Sequence, residues 1–207
     1  MPETPADPLP PFRFGAVILA AGGSSRMGAV KQLLELDGRS LIGRAVDAAR
    51  AAQAHPIVVV LGAEAEKVRA PIARYPILTV LNPEWPEGLS SSIRRGVRAL
   101  LDSEPDLNAV LLTPCDQPAL SAEIIAQLAS LQKSTGRIAA ARYDGRNGAP
   151  AVFGRGHFER LQTLTGDEGA RKLLNTDPDG VVTLDCPAMG FDLDTPSDYA
   201  NWKNRPS

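Results

Sequence analysis

The stretch GAVILAAGGSSRMGAVKQLL, residues 15–34, joins two halves of opposite character. Ala16–Ala20 is a continuous apolar run, as a parallel strand covered on both faces requires. The second half crowds Gly22, Gly23, Ser24, Ser25, Arg26, Gly28 and Lys31 into a segment that buries little and costs much backbone entropy to order. A Gly/Ser loop directly after a buried strand presents main-chain N–H groups to an anion, with cationic side chains beside them. Two familiar phosphate cradles do not fit the spacing. Glycines at 22, 23 and 28 do not make GxGxxG, and the near match to GxxxxGK[ST] from Gly23 to Gly28 fails at Ala29. The basic groups are instead Arg26 within the loop and Lys31 beyond it.

Outward from this stretch, strands and helices alternate. Ser40 reads as the N-cap of a helix over 41–54, with Leu41, Ala45, Ala48 and Ala49 on one face. His55-Pro56 ends it, and 56–62 is a second strand. A helix over 63–74, a strand over 77–81, a helix over 89–102 and a buried strand over 108–113 follow. Ser121, with Glu123 in the first turn, starts a helix to about 133. Strands are expected at 138–142, 151–153 and 181–184, with two short helical patterns between and after them. The pattern predicts an α/β fold: a doubly wound, mostly parallel sheet with helices on both faces and ligands at the carboxyl ends of the strands. One domain is expected over 15–207, behind a disordered leader at 1–14 that holds five prolines.

Bulk composition narrows the partners. Twenty-two basic and 24 acidic side chains leave a net charge of −2, so no basic excess points to nucleic acid or an anionic membrane. Two cysteines outside any CxxC or CxxH spacing exclude a zinc ribbon and give no disulfide framework. No apolar run approaches the ~20 residues of a membrane helix, and a cytoplasmic location is expected.

Three further segments carry candidate chemistry. In TPCDQP, residues 113–118, Asp116 stands at a buried strand's carboxyl end between two prolines, placed either to hold a hard divalent cation or to close an Asx-turn. In FDLDTPSDY, residues 191–199, Asp192 and Asp194 alternate as in a strand and would share one face, although Asp194 or Thr195 could equally cap a helix with Pro196 at its first position. In WPEGLSSSIRRG, residues 85–96, Gly88 and three serines offer amides and hydroxyls to a base edge or an anion.

Taken in order, LAAGGSSRMG with Lys31, NPEWPEGLSSSIRRG, TPCDQP, GDEGAR (166–171) and FDLDTPSDY resemble the molybdenum cofactor cytidylyltransferases, in the nucleotidyltransferase group that also contains the corresponding guanylyltransferase. The resemblance spans about residues 15–202. It implies transfer of CMP from CTP to the terminal phosphate of a molybdopterin-type acceptor, with Mg²⁺ and release of pyrophosphate. Leu19, Ala20, Ala21, Gly22, Gly23, Ser24 and Ser25 would wrap the triphosphate, Arg26 and Lys31 would neutralise it, and Gly88, Ser90 and Ser92 would lie around the base. Asp116 and Asp194 would hold the metal, with Asp192 a lesser candidate. Asn147, Gly148, Pro150, Arg171 and Asp192 would face the acceptor. Ala20-Ala21-Gly22 is the form associated with cytidine rather than guanosine. Ala149 departs from the Asn or His that usually precedes this proline, which leaves the acceptor open. A sugar- or polyol-phosphate cytidylyltransferase and a non-catalytic carrier of a pterin dinucleotide are the alternatives; in either pterin reading a molybdenum hydroxylase would receive the product. The nucleophile arrives ionised, so no general base is required, and His55 and His157 stand apart from every motif.

Overall fold

The computed structural model describes residues 11–24, 27–167, 169–176 and 180–205; Ser25, Arg26 and most of the expected leader lie outside them. In chain order the strands and α-helices are β1 (Phe14–Ala20), β2 (Glu35–Leu36), β3 (Arg39–Ser40), α1 (Leu41–Ala51), β4 (Ile57–Leu61), α2 (Ala65–Arg69), β5 (Leu78–Leu81), α3 (Leu89–Ser103) and β6 (Ala109–Pro114). They continue with α4 (Ala122–Thr135), β7 (Ile138–Tyr143), β8 (Arg146–Gly154), α5 (Phe158–Gln162), α6 (Arg171–Thr176), β9 (Val181–Asp185) and α7 (Pro196–Lys203). Seven strands form one sheet in the order β5-β4-β1-β6-β8-β7-β9, while β2 and β3 make a separate hairpin. All pairings in the large sheet are parallel except those of β8, which runs against both its neighbours. The expected mostly parallel α/β fold is therefore the fold of the chain.

Strand alternation divides the core. Ile18, Val59 and Leu111 face Ile42 and Val46 of α1 and Leu128 of α4 on one side. Val17, Val60 and Val110 face Ile93, Val97 and Leu100 of α3 on the other. Helix α3 approaches so closely that a Cβ on Gly96 would overlap Val17 and come within 2.8 Å of Val60. A third, smaller cluster of Met27, Leu36, Leu41 and Leu193, with Phe191, Tyr199 and Trp202 against it, fastens the C-terminal segment beside the hairpin. Tyr199 completes that attachment by donating its hydroxyl to the Glu35 carbonyl at 2.6 Å. Among the described residues no helix is long and apolar enough to cross a membrane.

Several expectations need adjusting. Ser40 and Ser121 cap α1 and α4 as read, accepting from the N–H groups of Gly43 and Ile124. The helix expected over 63–74 is α2 plus a 3₁₀ turn, Ala70–Ile72, because Pro71 has no N–H with which to continue the α pattern. Helix α1 stops at Ala51, and Gln53 turns away at φ 64. The folded unit begins before residue 15: Phe12 packs on the core and the Arg13 N–H donates to Asn108 Oδ1 at 2.7 Å. The largest change is β8. The expected strand of three residues is nine long, paired to β7 through Asp144-Gly145, whose φ values of 51 and 71 suit a tight hairpin turn.

Candidate active site

The parallel strands β1, β4 and β6 end at the same edge of the sheet, and the start of antiparallel β8 lies there too, because Ala151 is opposite Leu112. The Gly/Ser loop leaves β1 at this edge. Its path is set by Gln32, which is buried. The Gln32 amide donates to the carbonyls of Ala20 at 3.1 Å and Gly22 at 2.8 Å, and its oxygen accepts from the Ser24 hydroxyl at 3.1 Å. Ser24 in turn accepts from the Lys31 N–H at 3.1 Å. The loop held in this way borders an open cleft, which Gln32 lines as well. Leu19, Ala20, Ala21, Gly22 and Gly23 line that cleft together with Lys31 and Asp116, in a volume of about 650 Å³.

The far wall is the segment before α3. Trp85 lies across Gly23 and Gly62: a Cβ on either glycine would come within 3.2 and 2.9 Å of its ring. Gly88 holds φ 108 and ψ 179, a backbone region open in practice only to glycine, and a Cβ there would meet Asp167 at 2.8 Å. Gly88 and Ser92 line the cleft, and the Ser92 hydroxyl accepts from Asn82 Nδ2 at 3.0 Å. Ser90 departs from its expected place. It is buried, lines neither this cleft nor the pocket next to it, and its hydroxyl has no partner among the described residues. The first amides of α3 are also occupied: Leu89 donates to Asp167 Oδ1 at 3.2 Å and Ser90 to the Gly166 carbonyl at 3.3 Å. They are not free to hold phosphate.

Acidic groups from distant parts of the chain converge on Lys31, which lines the cleft. The Lys31 ammonium pairs with Asp116 and, at 3.1 Å, with Asp194. One ammonium reaches both only if the two carboxylates stand within about 6 Å of each other. A backbone link sets this up, since the Leu193 N–H donates to the Asp116 carbonyl at 3.2 Å. Leu193 is buried in the third cluster, between Asp192 and Asp194. That segment belongs to no strand, contrary to the expected strand alternation. Thr195, not Asp194, caps α7, in a capping box with Asp198 and with Pro196 in the first turn, while Asp194 pairs with Lys31.

Electrostatics follow from this crowding. Burial pulls the Lys31 ammonium down, but Asp116 and Asp194 outweigh it and hold its pKa above the usual lysine range. Partial desolvation, then the charges of Asp116 and Asp194, push the Asp192 carboxyl up to about 6. Cys115 lines the same cleft, and burial pushes its thiol well up, so it stands as a neutral wall. Acidic groups therefore outnumber the ammonium they share. Among the described residues no three acidic, histidine or cysteine side chains form a complete metal cage. Two carboxylates beside a phosphate-sized cleft suit a hard divalent cation that completes its shell with water and substrate oxygens.

A second, mainly apolar pocket of about 280 Å³ opens beside the cleft and shares Leu19, Leu89, Pro114 and Asp116 with it. Gly148, Arg171 and Asp192, three of the residues the resemblance sets toward an acceptor, line it. Asn147 and Pro150 do not: Asn147 is opposite Arg142 in the β7–β8 ladder, and Ala149 lines the pocket in their place. GDEGAR divides between the cavities, with Asp167 on the cleft and Arg171 on the pocket. Gln32, Trp85, Gln117 and Tyr143 were not read from the sequence as site residues. The signal for Gln32 was its place beside Lys31; Tyr143 needed the β7–β8 pairing to be visible.

A glycine loop on a mostly parallel sheet, Lys31 between Asp116 and Asp194, and two adjoining cavities are the parts a nucleotidyltransferase needs. The chain belongs to the MobA-like NTP transferase domain family, whose model matches residues 16–181. It is 34% identical over 191 residues to nicotine blue oxidoreductase of Paenarthrobacter nicotinovorans, covering 86% of this chain and 91% of that protein. It is 30% identical over 201 residues to purine catabolism protein PucB of Bacillus subtilis (strain 168), covering 91% and 95%. Among solved structures it is similar to Rv0371c of Mycobacterium tuberculosis H37Rv, with 28% identity, a TM-score of 0.77 and coverage of 95% and 100%. The manganese complex of Rv0371c gives 27% identity, a TM-score of 0.75 and coverage of 94% and 100%.

Proposed function

We propose that the protein transfers CMP from CTP to the terminal phosphate of a molybdopterin-type acceptor. A phosphate oxygen of the acceptor forms the new bond to the α-phosphorus, the bond from that phosphorus to the bridging oxygen breaks, and pyrophosphate leaves with the electron pair. The observation that carries this reading is the meeting of two cavities at Asp116, where Lys31 and Asp194 also converge. A nucleotide in the larger cavity and an acceptor in the smaller one bring their phosphates to a common point, so positioning and charge neutralisation supply the catalysis.

Residue roles follow from that arrangement. The loop from Leu19 to Ser25 lies along the triphosphate, with Lys31 and Arg26 as its cations; Gly88, Ser92 and Trp85 border the base. Asp116 and Asp194 would hold Mg²⁺, which supplies Lewis-acid stabilisation at the α-phosphate. Arg171 faces the acceptor's phosphate. CTP is favoured over GTP by the Ala20-Ala21-Gly22 form of the loop, and a molybdenum hydroxylase is the expected recipient of the product. The test is pyrophosphate release from each of four nucleoside triphosphates with Mg²⁺ and molybdopterin. CTP should be preferred; no release with any nucleotide would refute the reading.

The name of the relative at 34% identity favours one other reading, electron or hydride transfer to a coloured ring compound. Turnover of a reduced nicotinamide with dye acceptors, without nucleotide consumption, would establish that reading instead.

A further inference from the structure

The two edges of the large sheet are finished differently. At the β9 edge, the Cys186 N–H donates to the Arg142 carbonyl at 2.9 Å. Alternation along the strand then aims the main-chain groups of Val181, Thr183 and Asp185 outward. The outward Val181 carbonyl is answered by the Arg137 guanidinium at 2.7 Å, and the exposed Asp185 ends the strand with a charge. Such features keep an edge from pairing with another chain. At the opposite edge, β5 has neither. Its sequence, Leu-Thr-Val-Leu, carries no charge and no proline. The Asn82 N–H donates to the Leu61 carbonyl at 2.7 Å, so Leu78 and Val80 turn their main-chain groups to β4 and Thr79 and Leu81 turn theirs outward. No group among the described residues pairs with the outward N–H and C=O groups of Thr79 and Leu81.

Apolar surface frames this open edge. Leu78 is 39% exposed and Leu81 51%, and they point to opposite faces of the sheet. We propose that β5 pairs with β5 of a second copy of this chain, antiparallel about a two-fold axis. The register that uses every outward group sets Thr79 opposite Leu81 of the second copy and Leu81 opposite its Thr79, with Val80 facing Val80 on the axis. Each Leu81 then covers Thr79 of the other strand, and each Leu78 lies diagonal to the other's Val80. Charge selects a second copy as the occupant. Arg74 precedes β5 and Glu84 follows it; both are exposed, and neither joins an ion pair among the described residues. Antiparallel pairing brings the basic end of each strand to the acidic end of the other. The pairing consumes the β5 edge while β9 stays guarded, so assembly closes at a dimer. The contact is small, which places it in the weak, reversible class.

Sedimentation of the full chain from nanomolar to tens of micromolar should pass from 22.0 kDa toward twice that mass. Residue-resolved hydrogen exchange over the same range should slow at the Thr79 and Leu81 N–H groups. Val80, bonded to β4 throughout, should not change. Thr79→Pro removes an outward N–H from each copy and leaves the β4 ladder whole, so association should weaken at least about tenfold. Arg74→Glu and Glu84→Arg should each weaken the dimer, and the double variant should restore it. A wild type monomeric throughout, which would leave the edge to a strand of another protein, would overturn the proposal. So would a dimer unaffected by folded Thr79→Pro, concentration-dependent protection elsewhere than Thr79 and Leu81, open-ended polymers, or a double variant no tighter than the single ones. Should Thr79→Pro not fold, the charge swap, confined to exposed side chains, decides.

Discussion

Lys31→Met removes the ammonium that Asp116 and Asp194 share and keeps most of the side chain's length. The side chains are about 17%, 15% and 36% exposed, so the pairs are mostly shielded, with Asp194 the wettest member. Breaking a fully buried pair by removing one partner costs about 3–5 kcal/mol. Partial exposure reduces this to about 1–3 kcal/mol in the metal-free protein. The two carboxylates are then left close together without the cation they share. A divalent cation answers the same charges, so saturating Mn²⁺ should narrow the stability gap between variant and wild type. Activity should not recover with it: loss of a charged hydrogen bond to the triphosphate, worth about 1.5–3 kcal/mol, lowers kcat/KM for CTP roughly 10- to 150-fold. Urea unfolding with and without Mn²⁺, beside pyrophosphate release, reads both effects. Unchanged metal-free stability, or full activity, would refute the argument that Lys31 neutralises this cluster.

Gln32→Leu takes away three hydrogen bonds that shape the glycine loop, at about 1 kcal/mol each, and should raise KM for CTP by tenfold or more with a smaller change in kcat. Steady-state kinetics check it, and an unchanged KM would mean the loop holds its path unaided. Gly96→Ala forces a methyl between α3 and the valines of β1 and β4, a core overpacking of about 1–3 kcal/mol that thermal or urea melts would register. Asp192→Asn concerns pH: the folded carboxyl titrates near 6 against an ordinary 3.8, so wild type loses stability as pH rises through that window. The variant should be more stable than wild type above pH 6 without metal, by about 1 kcal/mol or less given the group's exposure, and equal to it below pH 4. Metal-free melts at pH 4 and pH 7.5 that differ by the same amount for both proteins would count against it.

The sheet was legible because its strands are nearly pure apolar runs: Ile57–Leu61 and Ala109–Val110-Leu111-Leu112 leave little choice but a strand covered on both faces. Strand β8 was not, since Arg146, Asn147 and Gly148 carry no β signal and only the Asp144-Gly145 turn marks the hairpin. The candidate site was readable where chemistry needs rare residue types, as at Lys31, Asp116 and Asp194. It was obscure where side chains serve through the fold. Ser90, Ser91 and Ser92 are equivalent as letters, yet helical rotation sends Ser92 to the cleft and Ser90 inward. Gln32 and Gln117 resemble any surface glutamine until their neighbours enclose them.

The backbone bond from Leu193 to Asp116 gives the last stretch of the chain a separate fate from the body it completes. Every strand of the large sheet has been made by Asp185, whereas Asp194 and its anchoring cluster come later. On the ribosome, the sheet can therefore form before the molecule is competent. A product cut after residue 190 would keep the glycine loop, Lys31 and Asp116 while lacking Asp194 and the cluster that anchors it.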